Sequence, residues 1–336
     1  MKVQAKKINY KGEECIELTA GGYQALVAPF LGSNIIRLYH IEKDIDILRY
    51  EEDITMDELK SSAETHGLPT LYLPNRLAGG ILKTSDAQYQ FPINEPAFNT
   101  HLHGFLHKRA YQVVDMGESA DFAYVKTEYI YDDKDECYSF YPVSFKAEMT
   151  IKLSDKGLEY KFTMTNLSNV QMPFGVCSHT AFFAPFTKGG DGMNVHLYVP
   201  IGDRCEIDDK YMATEELLPL DDHDRQYLTG SLIPVHQPID TEMYFGVMGE
   251  KDGQPFYGAV ATDTVTGDSI CYEVDEAYKF FIMWNEWGEK GYFCVEPQTW
   301  MVNAPNLSLL PETTGYKELA PSEYASLTQR VYLSSK

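Results

Sequence analysis

Residues 141–166 carry the clearest structural signal in the chain: Tyr-Pro-Val-Ser-Phe-Lys-Ala-Glu-Met-Thr-Ile-Lys-Leu-Ser-Asp-Lys-Gly-Leu-Glu-Tyr-Lys-Phe-Thr-Met-Thr-Asn. Apolar residues occupy alternate positions from 143 to 153 and again from 158 to 164, and the four residues between the runs are typical of a turn. Successive side chains of a strand point to opposite faces, so this alternation predicts two strands with one buried face each. The segment therefore predicts a long antiparallel hairpin.

Short strand-like runs separated by turn residues continue on both sides of this hairpin. The first fifty residues alternate apolar runs with turn signals at residues 11–13 and 21–22, and runs after residue 195 recur every ten to twenty residues. The acidic segment from Glu51 to Glu64 reads as an exposed loop or short helix. No linker or low-complexity tract divides the chain. We expect one all-β domain over residues 1–336.

The composition is that of a folded, acidic protein. Of the 336 residues 44% are hydrophobic, and the formal net charge is -22. Such a negative field repels nucleic-acid phosphates and anionic lipid headgroups, so we expect neither a nucleic-acid nor a membrane partner. The sequence shows no secretory signal and no apolar span of about 18 residues, which indicates a cytoplasmic protein.

The six cysteines lie far apart. They are Cys15, Cys137, Cys177, Cys205, Cys271 and Cys294, and no two form a Cys-x-x-Cys pair. This spacing fits neither a zinc knuckle nor a disulfide scaffold. We interpret most of them as small buried apolar side chains.

Residues 290–306 present a carboxylate in a position suited to chemistry. An apolar run over residues 292–295 leads to Glu296, and Pro297, which has no backbone donor, predicts the end or the edge of a strand there. A carboxylate at a strand end is held by the sheet and can face a cleft, which the loop through Pro305 and Asn306 could shape. A surface or salt-bridged carboxylate is the alternative.

Two polar stretches upstream offer further candidates. Asn75 and Arg76 follow a strand-like run that ends in Pro74, and the forked donors of an arginine suit several oxygens of one ligand, although pairing with an acid explains Arg76 equally well. His101 and His103, expected on the same face of a strand, stand near His107. Zinc binding is the alternative for these histidines, but no third ligand of cysteine or acid type is suitably spaced.

His179 lies in an apolar, small-residue run, Gln171-Met-Pro-Phe-Gly-Val-Cys-Ser-His-Thr-Ala-Phe-Phe183. A histidine among such neighbours is commonly a core residue bonded to one backbone carbonyl. If it lines a pocket instead, its pKa range suits proton transfer. Both interpretations stay open on these residues alone.

Together these stretches resemble the aldose 1-epimerase (galactose mutarotase) family. The matching motifs, in the family's order and over residues 75 to 306, are Asn75-Arg76-Leu-Ala-Gly-Gly80, Leu102-His103-Gly104, Tyr141-Pro142, Ser178-His179-Thr-Ala-Phe-Phe183 and Glu296-Pro-Gln298 with Ala304-Pro305-Asn306. The resemblance implies a β-supersandwich of the galactose mutarotase-like type. It also implies an isomerase that interconverts the α and β anomers of a free aldohexose with no metal and no organic cofactor.

The resemblance implies roles for single residues. Glu296 is similar to the catalytic base and His179 to the catalytic acid, while Asn75, Arg76 and His103 fall among the substrate-binding positions. Asp240 is similar to an aspartate that binds sugar hydroxyls, in a looser match. Two departures put a preference for galactose in doubt: Ser178 stands where many members have Asn, and Lys279 where galactose-specific members have Gln.

The chemistry explains why an acid and a base are needed together. Opening a cyclic hemiacetal takes a proton from the C1 hydroxyl and delivers one to the ring oxygen, and a carboxylate with an imidazolium can serve both atoms. Trp284, Trp287 or Trp300 could pack on the sugar, and buried packing is the alternative for each.

Three alternatives remain beside the epimerase. They are a non-catalytic sugar-binding or sensor protein, a two-carboxylate glycoside hydrolase, and an epimerase acting on a sugar phosphate. The expected partner is in each case a small sugar, and the expected assembly is a monomer or homodimer.

Overall fold

The hairpin predicted at residues 141–166 forms in the structure, a computed structural model that describes residues 2–335. Its strands run from Phe145 to Ser154 and from Gly157 to Asn166, and the predicted apolar positions of both are buried. Burial of each large apolar side chain contributes about 1.5–3 kcal/mol. Since a slip by one residue would turn that whole face to solvent, the apolar pattern fixes the register.

Strands account for most of the regular structure, and the predicted hairpins of the first fifty residues are confirmed. In chain order the first fourteen strands are β1 (Gln4–Tyr10), β2 (Glu13–Ala20), β3 (Tyr23–Ala28), β4 (Asn34–His40), β5 (Ile45–Asp46), β6 (Thr70–Leu71), β7 (Arg76–Ala78), β8 (Ile81–Lys83), β9 (Gln88–Gln90), β10 (Thr100–Leu102), β11 (Gln112–Glu118), β12 (Phe122–Tyr131), β13 (Phe145–Ser154) and β14 (Gly157–Asn166).

The remaining strands belong to the second half of the chain. They are β15 (Met172–Pro173), β16 (Cys177–Ser178), β17 (Thr180–Phe183), β18 (Val195–Tyr198), β19 (Ile201–Ile207), β20 (Ala213–Leu218), β21 (Glu242–Gly246), β22 (Gly249–Lys251), β23 (Gln254–Phe256), β24 (Gly258–Asp263), β25 (Ser269–Val274), β26 (Phe280–Trp284), β27 (Tyr292–Gln298), β28 (Glu318–Leu319) and β29 (Tyr324–Ser334).

Helices are few and short. The α-helices of residues 2–335 are α1 (Met56–Ser61), α2 (Arg225–Thr229) and α3 (Pro311–Thr314), and single 3₁₀ turns cover Ala63–Thr65, Leu106–Lys108, Glu136–Ser139, Gly192–Asn194, Glu286–Gly288 and Ala304–Asn306. Helix α1 begins with a capping box between Thr55 and Glu58, and it lies in the acidic segment where a loop or short helix was predicted. Within the described chain, the helices are too short or too polar to traverse a lipid bilayer.

Two large antiparallel sheets face each other. One has the order β11-β12-β13-β14-β29-β25-β24-β18, and the other has the order β20-β19-β21-β26-β27-β16-β6, with β17 also paired to β27. Phe182 and Val295 of the second sheet share a buried apolar cluster with Ile270 and Tyr272 of the first. The predicted all-β class is confirmed, and so is the predicted burial of most cysteines, since all six are buried.

The second sheet presents its other face to the candidate site. Because facing residues of paired antiparallel strands share a side, the pairs Ile282–Glu296, Trp284–Cys294 and Ala181–Cys294 all project from this face. Val295, one residue away from Glu296, projects into the core between the sheets instead.

Candidate active site

Glu296 stands inside a central strand of the second sheet. Strand β27 ends at Gln298, one residue past Pro297, so the predicted strand end is close to the observed one, whereas the alternative of a sheet edge is wrong because β27 has neighbours on both sides. A proline within a strand removes one donor without ending the strand, provided that the ladder is interrupted beside it. Such an interruption is present on the side of β27 that faces β16 and β17.

The register of the segments beside β27 places His179 next to Glu296. Thr180 pairs with Val295 and Cys177 pairs with Gln298, but no backbone pairing joins the segment between them, which contains His179, to Glu296 and Pro297. The two functional side chains therefore project from neighbouring segments across a local gap in the sheet. The pairs Cys177–Gln298 and Thr180–Val295 share one register, and that register places His179 directly opposite Glu296 on the same face of the sheet.

The imidazole and the carboxylate are in contact. Nε2 of His179 lies 3.2 Å from Oε1 of Glu296, and their side chains are 6% and 3% exposed. The ring of His103 meets the ring of His179 edge-on at 5.4 Å, and the ring of Trp284 approaches it edge-on at 6.0 Å. The sequence-predicted acid and base thus form one largely covered pair.

Burial changes the protonation of both members. It raises the pKa of Glu296 to about 8, which the charge of Arg76 partly opposes, and it lowers the pKa of His179 to about 4. Between these values the pair holds one exchangeable proton. With the proton on Glu296 both groups are neutral, and transfer of that proton to Nε2 yields a carboxylate base and an imidazolium acid.

His103 lies beyond the strand in which it was predicted. Strand β10 ends at Leu102, and His103 has φ +63°, so the prediction that His101 and His103 share one strand face is wrong. The N–H of His103 donates to the carbonyl oxygen of Asn75 at 2.8 Å. Asn75 itself has φ +52° and is buried. Two left-handed residues joined by this bond hold the ring of His103 over His179.

Gly104 makes this approach possible. A Cβ at this position would lie 2.0 Å from the carbonyl oxygen of Tyr72, and the residue has φ +57°. Only a glycine tolerates both conditions.

The other two histidines of the sequence cluster lie elsewhere. Nδ1 of His101 lies 2.8 Å from the carbonyl oxygen of Pro92, and Nε2 of His107 lies 3.9 Å from a carboxylate oxygen of Glu64. The structure therefore does not gather the histidines that raised the zinc alternative. Within residues 2–335, the group of three potential metal-binding side chains is His179, Cys294 and Glu296, whose donor atoms lie within 4.8 Å of one another.

Arg76 is held in a fixed orientation. Its Nε and one terminal nitrogen donate to the two carboxylate oxygens of Glu95 at 2.7 and 2.8 Å, and Thr100 also donates to Glu95. Such a bidentate pair fixes the plane of the guanidinium group. The pairing with an acid that the sequence left open is present, and the arginine still lies close enough to Glu296 to influence its pKa.

Tyr211 links Arg76 to Asp240. The guanidinium of Arg76 lies over the Tyr211 ring, 4.5 Å from its centroid, and the Tyr211 hydroxyl donates to Asp240 at 2.9 Å. Phe98 meets the same ring edge-on at 5.0 Å. Tyr211 and Glu95 are not among the residues predicted from the sequence, because both lie in segments between strands. The one feature of the sequence that could have pointed to Tyr211 is its position as an aromatic residue within an acidic loop.

Several buried polar atoms around the pair have no partner among the described residues. They are Nδ1 of His179, Nδ1 of His103, Oδ1 of Asn75 and Oε1 of Gln298. A buried polar group without a hydrogen bond costs about 1–3 kcal/mol, so such atoms together indicate a place built for a polar ligand.

The remaining residues singled out in the sequence differ in their surroundings. Trp300 is fully buried and stacks on Tyr316, so its alternative as a packing residue is confirmed, whereas Trp287 is 61% exposed. Ser178 accepts a hydrogen bond from Gln329 at 2.6 Å. The ammonium of Lys279 lies 5.9 Å from the centroid of the Phe245 ring.

A protein-family model described as Aldose 1-epimerase matches residues 14–323. A galactose mutarotase-like protein of Clostridium acetobutylicum has 30% sequence identity and a TM-score of 0.97, with 99% of each chain covered.

More distant likenesses concern the fold. The structure of a galactose 1-epimerase from Lactobacillus acidophilus matches with a TM-score of 0.74 at 13% identity, again over 99% of each chain. An uncharacterized Escherichia coli protein, YihR, is 24% identical over 169 residues, and the match spans 49% of this chain and 49% of that protein. The predicted galactose mutarotase-like fold is thereby confirmed.

Proposed function

Because the chain belongs to the aldose 1-epimerase family, we propose that it interconverts the α and β anomers of a free aldohexose, with Glu296 and His179 as base and acid. The observation that carries the proposal is the shared-proton pair at 3.2 Å, surrounded by buried polar atoms without partners. A pyranose offers the several hydroxyls that such atoms require. Its C1 hydroxyl and ring oxygen are bonded to the same carbon, so a single closely spaced acid–base pair can serve both.

The proposed reaction begins with the proton on Nε2 of His179 and the charge on Glu296. The carboxylate takes the proton from the C1 hydroxyl while the imidazolium donates to the ring oxygen, and the C1–O5 bond breaks to give the open-chain aldehyde. Rotation about C1–C2 presents the other face of the carbonyl. Ring closure then returns both protons, so the pair ends in its starting state.

The substrate-positioning residues complete the proposed site. Arg76, whose plane is fixed by Glu95, and His103 would hold the hydroxyls of the sugar, and Asn75 and Asp240 would do so beside them. Fixed donors lower the entropic part of the barrier because the sugar meets the acid and the base in one orientation.

A sugar phosphate is a poorer match for this arrangement. Nε and Nη2 of Arg76 already bind Glu95, so a phosphate could not bind that edge of the guanidinium without competing with the carboxylate, whereas the remaining N–H groups are sufficient for a sugar hydroxyl. The protein as a whole carries a formal net charge of -22, which also opposes an anionic substrate.

The test is polarimetry of freshly dissolved α-glucose and α-galactose with purified protein. We expect the optical rotation to reach equilibrium faster than with buffer alone. Unchanged decay together with calorimetric binding of the sugar would identify a binding or sensor protein and overturn the catalytic proposal. Release of reducing sugar from aryl glycosides would identify a hydrolase.

A further inference from the structure

Cys294 places a thiol beside the acid–base pair. It precedes Glu296 by two positions in β27, so both side chains project from the same face of the sheet. A nitrogen of His179, a carboxylate oxygen of Glu296 and Sγ of Cys294 all lie within 4.8 Å of one another. The proposed epimerase reaction has no step for this thiol, so its position calls for a separate explanation.

The three donors are ligand types that Zn²⁺ prefers. Zinc binds thiolate, imidazole and carboxylate at about 2.0–2.3 Å, which in a tetrahedral site places neighbouring donors about 3.3–3.6 Å apart. Nε2 of His179 and Oε1 of Glu296 are already 3.2 Å apart. Because no separation within the group exceeds 4.8 Å, an inward movement of Sγ by about 1 Å completes three sides of such a site.

The charge of the group also suits a divalent ion. With the thiol protonated and one proton shared by His179 and Glu296, the three side chains carry no net charge. A divalent ion in place of those two protons leaves the group uncharged again, because the thiol and the carboxyl become anions and the imidazole stays neutral. This balance avoids the cost of placing a net charge in a buried position.

The arginines nearest to the group are already paired. Burial raises the pKa of the carboxyl and of the thiol, and the charges of Arg76 and Arg49, respectively, partly oppose that rise. Arg76 forms an ion pair with Glu95 at 2.7 Å, and Arg49 forms one with Glu51 at 2.6 Å. Each of these carboxylates offsets the repulsion that its arginine exerts on a bound cation. The formal net charge of -22 further favours the approach of a cation.

The surroundings of the thiol favour a small ligand. Cys294 is 1% exposed and shares an apolar cluster with Ala181 and Tyr292, against which Trp284 packs. Apolar side chains around a metal site exclude water and strengthen the interaction of the ion with its ligands. Any path that admits a sugar to the acid–base pair also admits an ion to the thiol, since its sulfur lies beside both members of the pair.

We propose that His179, Glu296 and Cys294 form an inhibitory site for a thiol-seeking divalent cation, with Zn²⁺ as the representative ion. An ion bound there occupies the nitrogen and the oxygen that would otherwise exchange protons with the sugar, so catalysis stops until the ion dissociates. Binding of the ion is independent of the proposed function, whereas the inhibition rests on it.

The binding test is a titration of the full chain with Co²⁺, which replaces Zn²⁺ and absorbs light. We expect thiolate-to-cobalt charge-transfer absorption that saturates at one ion per chain and disappears when Zn²⁺ is added. Cys294→Ser should lack this absorption. Cys177→Ser is the matched control and should keep it, because Cys177 is also a buried residue of a strand beside β27 but lies outside the group of three donors. Absence of the absorption in the wild type, or its persistence in Cys294→Ser, would overturn the site.

The inhibition test is polarimetry of each protein in ZnCl₂ and again in EDTA. The ratio of the two rates cancels any change that a substitution makes in the uninhibited rate. We expect Zn²⁺ to stop wild-type mutarotation reversibly. Cys294→Ser should need at least about tenfold more Zn²⁺ for the same effect, since loss of even a group behind the ligands weakens metal binding by about 10–100-fold. Cys177→Ser should respond as the wild type does.

The two tests separate the ion site from the epimerase proposal. Acceleration by Zn²⁺, or equal sensitivity of the wild type and Cys294→Ser, would overturn the inhibitory site. Absence of mutarotation in EDTA would overturn the epimerase proposal instead, and the cobalt titration would still decide whether the three side chains bind an ion.

Discussion

The N–H of His179 donates to the carbonyl oxygen of Pro69 at 3.1 Å. This bond continues by one residue the pairing of Cys177 with Leu71 and of Ser178 with Thr70. The acid is thus held by a segment from the first quarter of the chain, while the base is held by a central strand. The imidazole and the carboxylate approach because the register of the two segments places His179 opposite Glu296 on one face of the sheet.

Replacing the proposed base tests the chemistry directly. Glu296→Gln keeps the size of the side chain and its ability to hydrogen-bond His179, but it cannot accept the sugar proton. Loss of a general base typically lowers the rate by about 10²–10⁴-fold. Polarimetry should show this loss with little change in circular dichroism. Glu242→Gln is the matched control, because Glu242 also contacts a histidine, His223, at 3.0 Å. An unimpaired Glu296→Gln enzyme would contradict the assignment.

The pH dependence of kcat/KM should be bell-shaped, with limbs near pH 4 and pH 8. Below the acid limb a second proton enters the pair, which removes the base. Above the alkaline limb the shared proton is lost, which removes the acid. Measurement across pH 3.5–9 should find both limbs, and a rate that rises steadily through pH 9 would be inconsistent with a shared proton.

The free energy of unfolding should also depend on pH through Glu296. The pKa of Glu296 rises from 4.5 to about 8 on folding, so its favourable contribution is complete below pH 4.5 and is lost as the pH rises through 8. Glu296→Gln does not titrate. Between pH 4.5 and 8.5 we therefore expect the wild-type protein to lose up to about 5 kcal/mol of its free energy of unfolding relative to the Glu296→Gln variant. Urea unfolding at both pH values measures this difference, and a constant difference would refute the burial effect.

The hydroxyl of Tyr211 should contribute to binding of the sugar. Tyr211→Phe keeps the ring that lies against Arg76 and removes the hydrogen bond to Asp240. A hydrogen bond to a charged group contributes about 1.5–3 kcal/mol, so KM should rise by about tenfold or more if Asp240 binds the sugar. Asp240→Asn and the double variant complete the cycle. Additive effects of the two changes would show that the bond does not position Asp240.

Gly104 should tolerate no side chain. Gly104→Ala would place a methyl group 2.0 Å from the carbonyl oxygen of Tyr72 and would impose a left-handed conformation on alanine. The backbone must move, which should displace His103 and reduce activity. Gly253→Ala is the control, since Gly253 has φ +75° but no atom within 4 Å of the added Cβ. Gly253→Ala should lower the free energy of unfolding by about 1 kcal/mol, because only the left-handed backbone conformation disfavours alanine there. Similar unfolding midpoints for the two variants would contradict the steric argument.

The sequence was most informative where a local pattern determines the structure. Alternating apolar residues are sufficient to predict the β13–β14 hairpin, because burial of one face permits a single register. Pro297 illustrates the limit. Its missing donor was evident, but only the pairing of β27 with its neighbours shows that the strand continues past it.

The site was predicted less completely, because its geometry is not local. The local sequence singled out His179 and Glu296 as candidates, but their roles as acid and base came from the family resemblance, since each residue alone also fitted a purely structural interpretation. The left-handed backbone at His103 and the bridge through Tyr211 depend on contacts between distant segments, which no spacing encodes. The extent of the domain and the cytoplasmic location stay predictions.

The neighbourhood of β17 and β27 also bears on how activity develops as the chain folds. The two strands pair across more than a hundred intervening residues, and contacts of such long range form late and slowly. A partly folded chain can contain the hairpins of the first large sheet without having an acid beside its base. Recovery of catalysis after denaturation should therefore trail the recovery of strand content, so that turnover reports completion of the last long-range pairing.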